Sequence, residues 1–322
     1  MALRLALRLV VIVAICVAVY LLYDTLKEYS AGEVLAALGS ISAGHLALGL
    51  AFAACSYLCL GGFDALAVRY AGKPLAFHKT ALASFVSLSI GHNVGVAALS
   101  SGAVRYRFYS RWGLTTEDVA KVILFCGVTV ALGLSTMGAI GLMLRPDDAT
   151  RMIPIGPGGI RMLALVCALV PVAYVALAAT LRTPLRFRTW SFALPSAKLA
   201  VGQVLIGTLN FAFVAASLHQ MLSALAEAGY LKVVAVSIIA NVAAIVSHVP
   251  GGIGVLEATV THILPGASSV AAVIAFRVVY YFIPLFIGLP TLLLSEWLIT
   301  PRKDATSEKR GEPRAHGAGA AA

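Results

Sequence analysis

Four ionisable side chains lie within or beside long apolar stretches of this 322-residue chain: Asp64, Arg105, Glu257 and Arg277. A charge at the centre of a bilayer costs about 2.5–3.5 kcal/mol on insertion scales, so each of these groups needs a physical reason to be there. Glu257 and Arg277 stand on either side of a short turn, so the spacing allows an ion pair between them. Such a pair would be either structural or part of a ligand site.

The segment Ser100-Ser-Gly-Ala-Val-Arg105-Tyr-Arg107-Phe-Tyr109 places two arginines among tyrosines. Guanidinium groups bind phosphate in bidentate fashion, and tyrosine is common at the membrane–water interface. Arg105 is therefore a candidate phosphate ligand, with a role as a basic anchor at the membrane surface as the alternative. For Arg107 the anchor is the preferred interpretation. Asp64 lies near the inner end of the second apolar stretch that is predicted to span the membrane, residues 45–70.

Two histidines mark breaks in apolar stretches. The first break is Ile90-Gly-His92-Asn93-Val-Gly95, and the second is Val246-Ser-His248-Val-Pro-Gly-Gly-Ile-Gly254. Each histidine would relay a proton, bind a lipid headgroup, or hydrogen-bond the backbone carbonyls that the break frees. Asn93 and Asn241 are open to the same interpretations.

The elements that position these residues are predicted to be membrane helices. The chain is 60% hydrophobic, its mean hydropathy is +0.92, and 12% of its residues are charged, about half the share of a soluble domain. The composition predicts an all-α polytopic membrane protein. Six apolar stretches are long enough to span a bilayer: residues 5–23, 45–70, 117–144, 160–181, 197–221 and 270–299. Residues 24–42 are predicted to form an amphipathic helix at the interface.

Two further apolar stretches, residues 79–104 and 231–264, are interrupted. Basic residues flank the first on both sides, so the positive-inside rule predicts a re-entrant hairpin that enters and leaves at the cytoplasmic face. The second opens from the opposite face. A matched pair of Gly- or Pro-interrupted segments in two halves is typical of a transporter site in an inverted repeat. The alternative is that each hairpin crosses the membrane fully as two helices. The protein is expected in the inner membrane of the cell, with both chain termini in the cytoplasm.

Several functions are disfavoured by what the sequence lacks. The net charge of +10 comes from basic residues in short loops, so a nucleic-acid role is not expected. The five cysteines lie in apolar runs and are interpreted as packing residues. No nucleotide loop or metalloprotease motif occurs in a suitable context, so neither a cofactor nor an enzymatic activity is expected. Residues 1–300 are predicted to form one transmembrane domain, and residues 301–322 a disordered cytoplasmic tail.

Three motifs resemble a known family. Ser101-Gly-Ala-Val-Arg105-Tyr-Arg107-Phe-Tyr109, Pro250-Gly-Gly-Ile-Gly-Val-Leu-Glu257 and Arg277-Val-Val-Tyr280-Tyr281 are similar to the transmembrane region of lysylphosphatidylglycerol synthetases (MprF-type) and their stand-alone YbhN-like relatives. Gly62-Phe-Asp64 also resembles that pattern. The resemblance implies lipid translocation and assigns functional charges to Asp64, Arg105, Glu257 and Arg277. No synthetase is expected after Pro301, so the lipid would come from a separate enzyme.

These observations predict a flippase-like transporter that moves an anionic or aminoacylated phospholipid between leaflets. The headgroup would lie between the hairpin tips, with Arg105 on its phosphate and Glu257, with Asp64, on a cationic group or a coupled proton. A non-transporting scaffold for a lipid-modifying enzyme is the main alternative. A membrane enzyme that acts on headgroups is the second alternative. Phospholipids are the expected partners, and an oligomer is compatible with the sequence. The predicted binding residues are Asp64, His92, Asn93, Arg105, His248, Glu257, Arg277 and Tyr280.

Overall fold

The computed structural model describes residues 31–94, 97–146, 149–150, 155–181, 185–187, 190–192, 194–247, 249, 252–264 and 267–298. Helices account for nearly all of this part of the chain. In chain order they are α1 (Ala31–Gly39), α2 (Ala43–Tyr70), α3 (Phe77–Val94), α4 (Ala97–Arg111), α5 (Thr116–Leu144), α6 (Pro157–Thr180), α7 (Ala197–Ser223), α8 (Tyr230–Ser247), α9 (Val255–Ile263), α10 (Ala267–Arg277), a π-helix (Val278–Phe282) and α11 (Ile283–Leu298).

Six helical segments are long and apolar enough to cross a membrane: Ala43–Tyr70, Thr116–Leu144, Pro157–Thr180, Ala197–Ser223, Tyr230–Ser247 and Ser268–Ser295. Five coincide with predicted spans, so the prediction of an all-α polytopic membrane protein is confirmed. The sixth, Tyr230–Ser247, is the first limb of the second interrupted stretch. The predicted span at residues 5–23 and the predicted tail at residues 301–322 lie outside the described residues. One feature that was not predicted is a short antiparallel pair of strands, β1 (Leu185–Phe187) and β2 (Trp190–Phe192).

The helix starts follow from local capping chemistry. Ser42 and Ser196 cap α2 and α7, and each side chain accepts a hydrogen bond from the backbone N–H three residues on. Thr115 and Asp118 form a capping box at the start of α5. Because a cap satisfies backbone donors that have no partner within the helix, it sets where each long helix begins.

Both interrupted stretches form helical hairpins with a short second limb. The limbs α4 and α9 contain 15 and nine residues, which gives about 22 and 14 Å at 1.5 Å per residue. Neither length crosses a hydrocarbon core of about 30 Å, so neither hairpin consists of two full crossings. The ends of the first hairpin lie together, because the Lys79 ammonium is 5.7 Å from the centroid of the Trp112 ring. This geometry agrees with the predicted re-entrant form.

The bundle has two halves, one that begins with α2 and one that begins with α7, and they are arranged antiparallel. Ser217 on α7 donates to the carbonyl of Gly49 on α2, so the end of one helix lies beside the start of the other. Small residues permit the closest approaches: a Cβ at Gly133 on α5 would lie 2.5 Å from the backbone of Gly207 on α7. Backbones that approach this closely are common where small residues meet in membrane helices.

Each hairpin also packs against the other half. A Cβ at Gly288 on α11 would lie 2.0 Å from the Ser89 hydroxyl on α3. For the second hairpin, the equivalent contact is made by Gly141 on α5, where a Cβ would lie 3.6 Å from Ala235 on α8. The first limb of each hairpin therefore contacts the last long helix of the opposite half. These reciprocal contacts between the two halves support the predicted inverted repeat.

One end of the bundle is rich in basic residues. It is formed where α2, α4 and α11 end and where α3, α5 and α7 begin, and Arg111 on α4 donates to the carbonyl of Ser295 on α11 there. We call it the basic end, after Arg69, Lys73, Lys79, Arg107, Arg111 and Lys198. Helix α6 lies at the periphery with large apolar side chains exposed, among them Leu169 and Val172, as expected of a lipid-facing helix.

Candidate functional site

Asp64 and Arg105 form a buried ion pair between α2 and the first hairpin. Arg105 Nε donates to both carboxylate oxygens at 3.0 and 3.2 Å, and Nη2 donates to Oδ1 at 3.0 Å. The Asp64 side chain is fully buried and that of Arg105 is 5% exposed. Two further donors reach the carboxylate: the Tyr109 hydroxyl at 2.7 Å and the Cys126 thiol at 3.1 Å. Bidentate geometry with additional hydrogen bonds is what makes a buried charge pair tolerable.

This network occupies the donors through which Arg105 was predicted to bind a phosphate. Its third nitrogen, Nη1, donates to the Ser101 hydroxyl at 3.1 Å. Every guanidinium nitrogen therefore has a partner within the protein, and a phosphate would have to displace Asp64 to form a bidentate contact. The pair instead joins α2 to α4 on the basic-end side of the bundle. Cys126 departs from the interpretation of the cysteines as apolar packing residues, because its thiol donates to a carboxylate.

Glu257 and Arg277 form the second ion pair, as their spacing allows. Arg277 Nε donates to Glu257 Oε1, and Nη2 donates to Oε2 at 2.8 Å. Arg277 Nη2 also donates to the carbonyl of Gly252 at 3.0 Å. Gly252 lies in the break of the second hairpin and has a φ of +59°, in the left-handed region that glycine tolerates best. Arg277 thus links the broken segment to the last membrane-spanning run of helix, Ser268–Ser295. The carboxylate is the more accessible partner, with 17% exposure against 2% for the arginine.

A π-helix follows Arg277 at once. Residues Val278–Phe282 form it, and Pro284 stands two residues beyond its end. Proline has no N–H, so Pro284 removes one backbone hydrogen bond from the turn that contains the Tyr280 carbonyl. The Tyr57 hydroxyl on α2 donates to that carbonyl at 3.4 Å, and Asn93 Nδ2 on α3 approaches the carbonyl of Tyr281 at 3.5 Å. Single π-turns inside helices are frequent at functional sites.

His92, at the tip of the first hairpin, sits among three tyrosines. Its ring centroid lies 6.2 Å from those of Tyr57 and Tyr281 and 6.3 Å from that of Tyr280. His92 as a whole residue is half-buried, but its Nδ1 is buried and has no hydrogen-bond partner among the described residues. A buried polar atom without a partner is rare in folded proteins and calls for an explanation.

The first hairpin contacts Tyr281 directly, and the second is linked to it through Arg277. His92 and Asn93 reach it from the first hairpin, and the Arg277 guanidinium, which holds the second hairpin, lies 5.7 Å from the centroid of its ring. The π-helix thus contacts His92 and Asn93 of the first hairpin, and Arg277 links it to the break of the second. Of the predicted site residues, His92, Asn93, Tyr280, Arg277 and Glu257 come together here. Asp64 and Arg105 form their own network nearer the basic end, and His248 lies outside the described residues.

Sequence reasoning missed the polar contact at the centre of the bundle. The Ser56 hydroxyl donates to Asn210 Oδ1 at 2.7 Å and lies 2.7 Å from the Tyr280 hydroxyl. All three residues are buried. A signal existed, because Ser56 and Asn210 occupy the same position relative to the two cap serines (42 to 56 and 196 to 210, 14 residues each). Asn93 and Asn241 form a second matched pair, since each donates to the carbonyl of a serine four residues earlier at 2.8 Å.

Metal ligands are not gathered in the part of the chain that the structure describes, where no group of three His, Cys, Asp or Glu residues is close enough to hold an ion. What the arrangement offers instead is two buried ion pairs, an imidazole with an unpartnered nitrogen and a set of tyrosines. All of them lie between helices of a membrane bundle. Such a site can bind polar groups and change partners without covalent chemistry.

The fold and site define the class: a multi-pass α-helical membrane protein whose two halves each carry a broken hairpin. No family model matches the chain. It is 31% identical to the inner membrane protein YbhN of Escherichia coli K12 over 258 residues, which cover 75% of this chain and 77% of that protein. It is 32% identical to the uncharacterized protein slr0712 of Synechocystis over 297 residues, 89% of each chain. The chain belongs to the YbhN family.

Proposed function

We propose that this protein moves a phospholipid with an anionic or aminoacylated headgroup, of the phosphatidylglycerol type, between the leaflets of the cell's inner membrane. The observation that carries the proposal is that Tyr281 lies between His92 and Asn93 of the first hairpin and Arg277, which holds the break of the second hairpin. His92 and Asn93 approach this tyrosine from one half, and the Glu257–Arg277 pair approaches it from the other. Broken helices that meet at the interface of an inverted repeat are the usual setting of a substrate site in membrane transporters.

The chemistry around Tyr281 suits a lipid headgroup. Glu257 is a partly exposed carboxylate that can accept hydrogen bonds from an ammonium or a hydroxyl group. Arg277 and His92 can donate to a phosphate, and the tyrosines suit a site with a polar and an apolar side. The acyl chains would stay in the surrounding lipid, so the protein needs to shelter only the headgroup. In this proposal Asp64 and Arg105 position the first hairpin rather than bind phosphate.

The proposal includes no chemical step. A separate enzyme would supply any aminoacylated lipid, and membrane phospholipids are the partners that the site requires. The cytoplasmic placement of the basic end follows from the positive-inside rule and belongs to the same proposal.

A scaffold function remains the second candidate because of one specific observation. Both buried arginines, Arg105 and Arg277, are already paired with carboxylates, and Arg105 has a protein partner on every nitrogen. A scaffold requires these pairs for folding alone. It therefore predicts that a correctly folded protein exchanges no lipid and that a lipid-modifying enzyme co-purifies with it.

Leaflet exchange in liposomes separates the two functions. Purified protein is reconstituted with fluorescent phosphatidylglycerol or its lysylated form, and a membrane-impermeant quencher reports how much label reaches the outer leaflet. Transport predicts that the quenched fraction rises from about half towards completion as the inner label exchanges. A quenched fraction equal to that of protein-free liposomes, for both lipids and with folded protein, would reject the proposal for this lipid class.

A further inference from the structure

The buried nitrogen of His92 is the one feature of the central site that the contacts described so far leave unexplained. Two side-chain atoms in the described part of the chain are buried without a hydrogen-bond partner, Ser84 Oγ and His92 Nδ1, and both lie on α3. The His92 ring is also the point where the first hairpin reaches the π-helix. An unpaired buried group destabilises the state that contains it, and a ligand or proton that supplies a partner removes that cost.

The charges around His92 decide its protonation in the empty site. Tyr57 faces it from α2, and Tyr280 and Tyr281 face it from the π-helix. Beyond these lie the Arg105 cation, paired with Asp64, and the Arg277 cation, paired with Glu257. These four charges sum to zero. A proton on His92 would therefore add a positive charge that no group in the described part of the chain compensates, which is disfavoured, so the imidazole of the empty site is taken as neutral.

An anion changes this balance. A phosphate group within hydrogen-bond distance of the ring would give a protonated imidazole both a counter-ion and a charge-assisted hydrogen bond. Proton uptake and anion binding then favour each other. By linkage, each must strengthen the other to the same degree.

We propose that His92 takes up one proton from water when a phosphate anion binds at the tip of the first hairpin, so that anion and proton bind together as a neutral pair. No bond of the ligand is broken, and the proton returns to water when the anion leaves. The inference rests on the proposed function as far as the anion is taken to be a lipid headgroup. It makes the site a place where a proton gradient can drive lipid movement.

The test is calorimetric binding to the full-length protein in detergent micelles at neutral pH. A short-chain phosphatidylglycerol is titrated in two buffers whose ionisation enthalpies differ, and the difference in heat counts the protons taken up per lipid. The proposal predicts close to one proton, and an affinity that falls about tenfold for each unit of pH while the bound state keeps its proton and the empty site has none, because each unit makes the required proton ten times scarcer. His92→Gln should bind with no proton uptake. His78→Gln, an exposed histidine on the same helix, should match the wild type.

Two further titrants identify the ligand. Inorganic phosphate that binds with one proton would support the coupling and assign the site to free phosphate as well as to lipid. A short-chain diacylglycerol, which lacks phosphate, should cause no uptake. If His92→Gln does not fold, as judged by gel filtration, His92→Asn takes its place.

Failure of this inference is distinguishable from failure of the proposed function. Lipid exchange in liposomes together with binding that takes up no proton would overturn the coupling and leave transport standing. Equal uptake by the wild type and His92→Gln would overturn it as well. Proton-coupled binding without any leaflet exchange would support the site and reject transport.

Discussion

Ser56 on α2 donates a 2.7 Å hydrogen bond to Asn210 on α7, and the two residues occupy equivalent positions in the two halves of the protein. Equivalent residues touch one another only where a pseudo-two-fold axis passes. This contact therefore locates the axis of the inverted repeat at the midpoint of both helices. The Tyr280 hydroxyl lies at the same point, 2.7 Å from Ser56, so the π-helix is anchored on the axis.

Around this axis the structure combines rigid and replaceable contacts. The crossing of α5 and α7 is a backbone contact between glycines, which leaves little room for movement. At the hairpin tips, by contrast, the helix breaks are held by side chains from other helices: Arg277 on the Gly252 carbonyl and Asn93 near the Tyr281 carbonyl. A transport cycle that changed the hairpin contacts while preserving the glycine crossing would fit this division.

The first prediction concerns the stability of the glycine crossing. Gly207→Ala should lower the free energy of unfolding by about 1–3 kcal/mol, because its Cβ would lie 2.6 Å from the Thr129 carbonyl oxygen, a backbone atom that cannot move aside. Gly127→Ala on α5 is the matched control, since nothing lies within 4 Å of its Cβ. Thermal unfolding in detergent should leave this control unchanged or slightly stabilised. Equal behaviour of the two variants would contradict the proposed contact.

The second prediction concerns the Asp64–Arg105 pair. Asp64→Asn leaves a buried guanidinium without its counter-ion and should cost about 3–5 kcal/mol of stability. Arg105→Gln should be similarly harmful, because it leaves the carboxylate with only its neutral donors, Tyr109 and Cys126. Denaturant titrations in detergent would measure both variants.

The double variant Asp64→Asn/Arg105→Gln gives the decisive comparison. It removes both charges, so it should be markedly more stable than the sum of the single effects implies. If the pair only positions the first hairpin, the double variant should also retain part of the lipid exchange. Additive losses of stability would mean that the two groups do not interact as the structure has them.

The sequence predicted the helices better than it predicted the pairs between them. Five long apolar helices and both hairpins follow from hydropathy and loop charge, since each depends on residues near in sequence. The Glu257–Arg277 pair was predicted for the same reason, because 20 positions across a turn bring them together. The partner of Arg105 is 41 positions away on another helix, and nothing local indicates it.

Helix faces explain why the remaining site residues were not found. Helix α2 is apolar on every side except at a few positions, so its sequence does not indicate which side is buried. Tyr57 and Ser56 stand side by side on it, yet one contacts His92 and the other Asn210. These contacts follow from where helices cross, which is a property of the packed bundle. Cys126 acquired its polar contact in the same way, because the α5 crossing brings it to Asp64.

The third prediction addresses transport. Glu257→Gln should slow leaflet exchange of phosphatidylglycerol at least tenfold, because it removes the accessible carboxylate and leaves Arg277 without the negative charge of its partner. Glu227→Gln, an exposed position in the loop between α7 and α8, is the matched control and should exchange lipid at the wild-type rate. Exchange is measured with the quencher assay, after gel filtration has established that both variants are folded. Undiminished exchange by Glu257→Gln would remove Glu257 from the site.

The fourth prediction is the orientation of the bundle. Single cysteines at Lys73 and Glu227, both exposed, mark the basic end and the opposite end of the bundle. They are introduced into a chain whose five native cysteines have been replaced. In intact spheroplasts a membrane-impermeant maleimide should label Glu227→Cys and leave Lys73→Cys unlabelled, because basic loops are retained in the cytoplasm. Lys73→Cys should react fully once the membrane is permeabilised. Labelling of Lys73→Cys from outside would reverse the orientation and place the mouth of the first hairpin on the outer face.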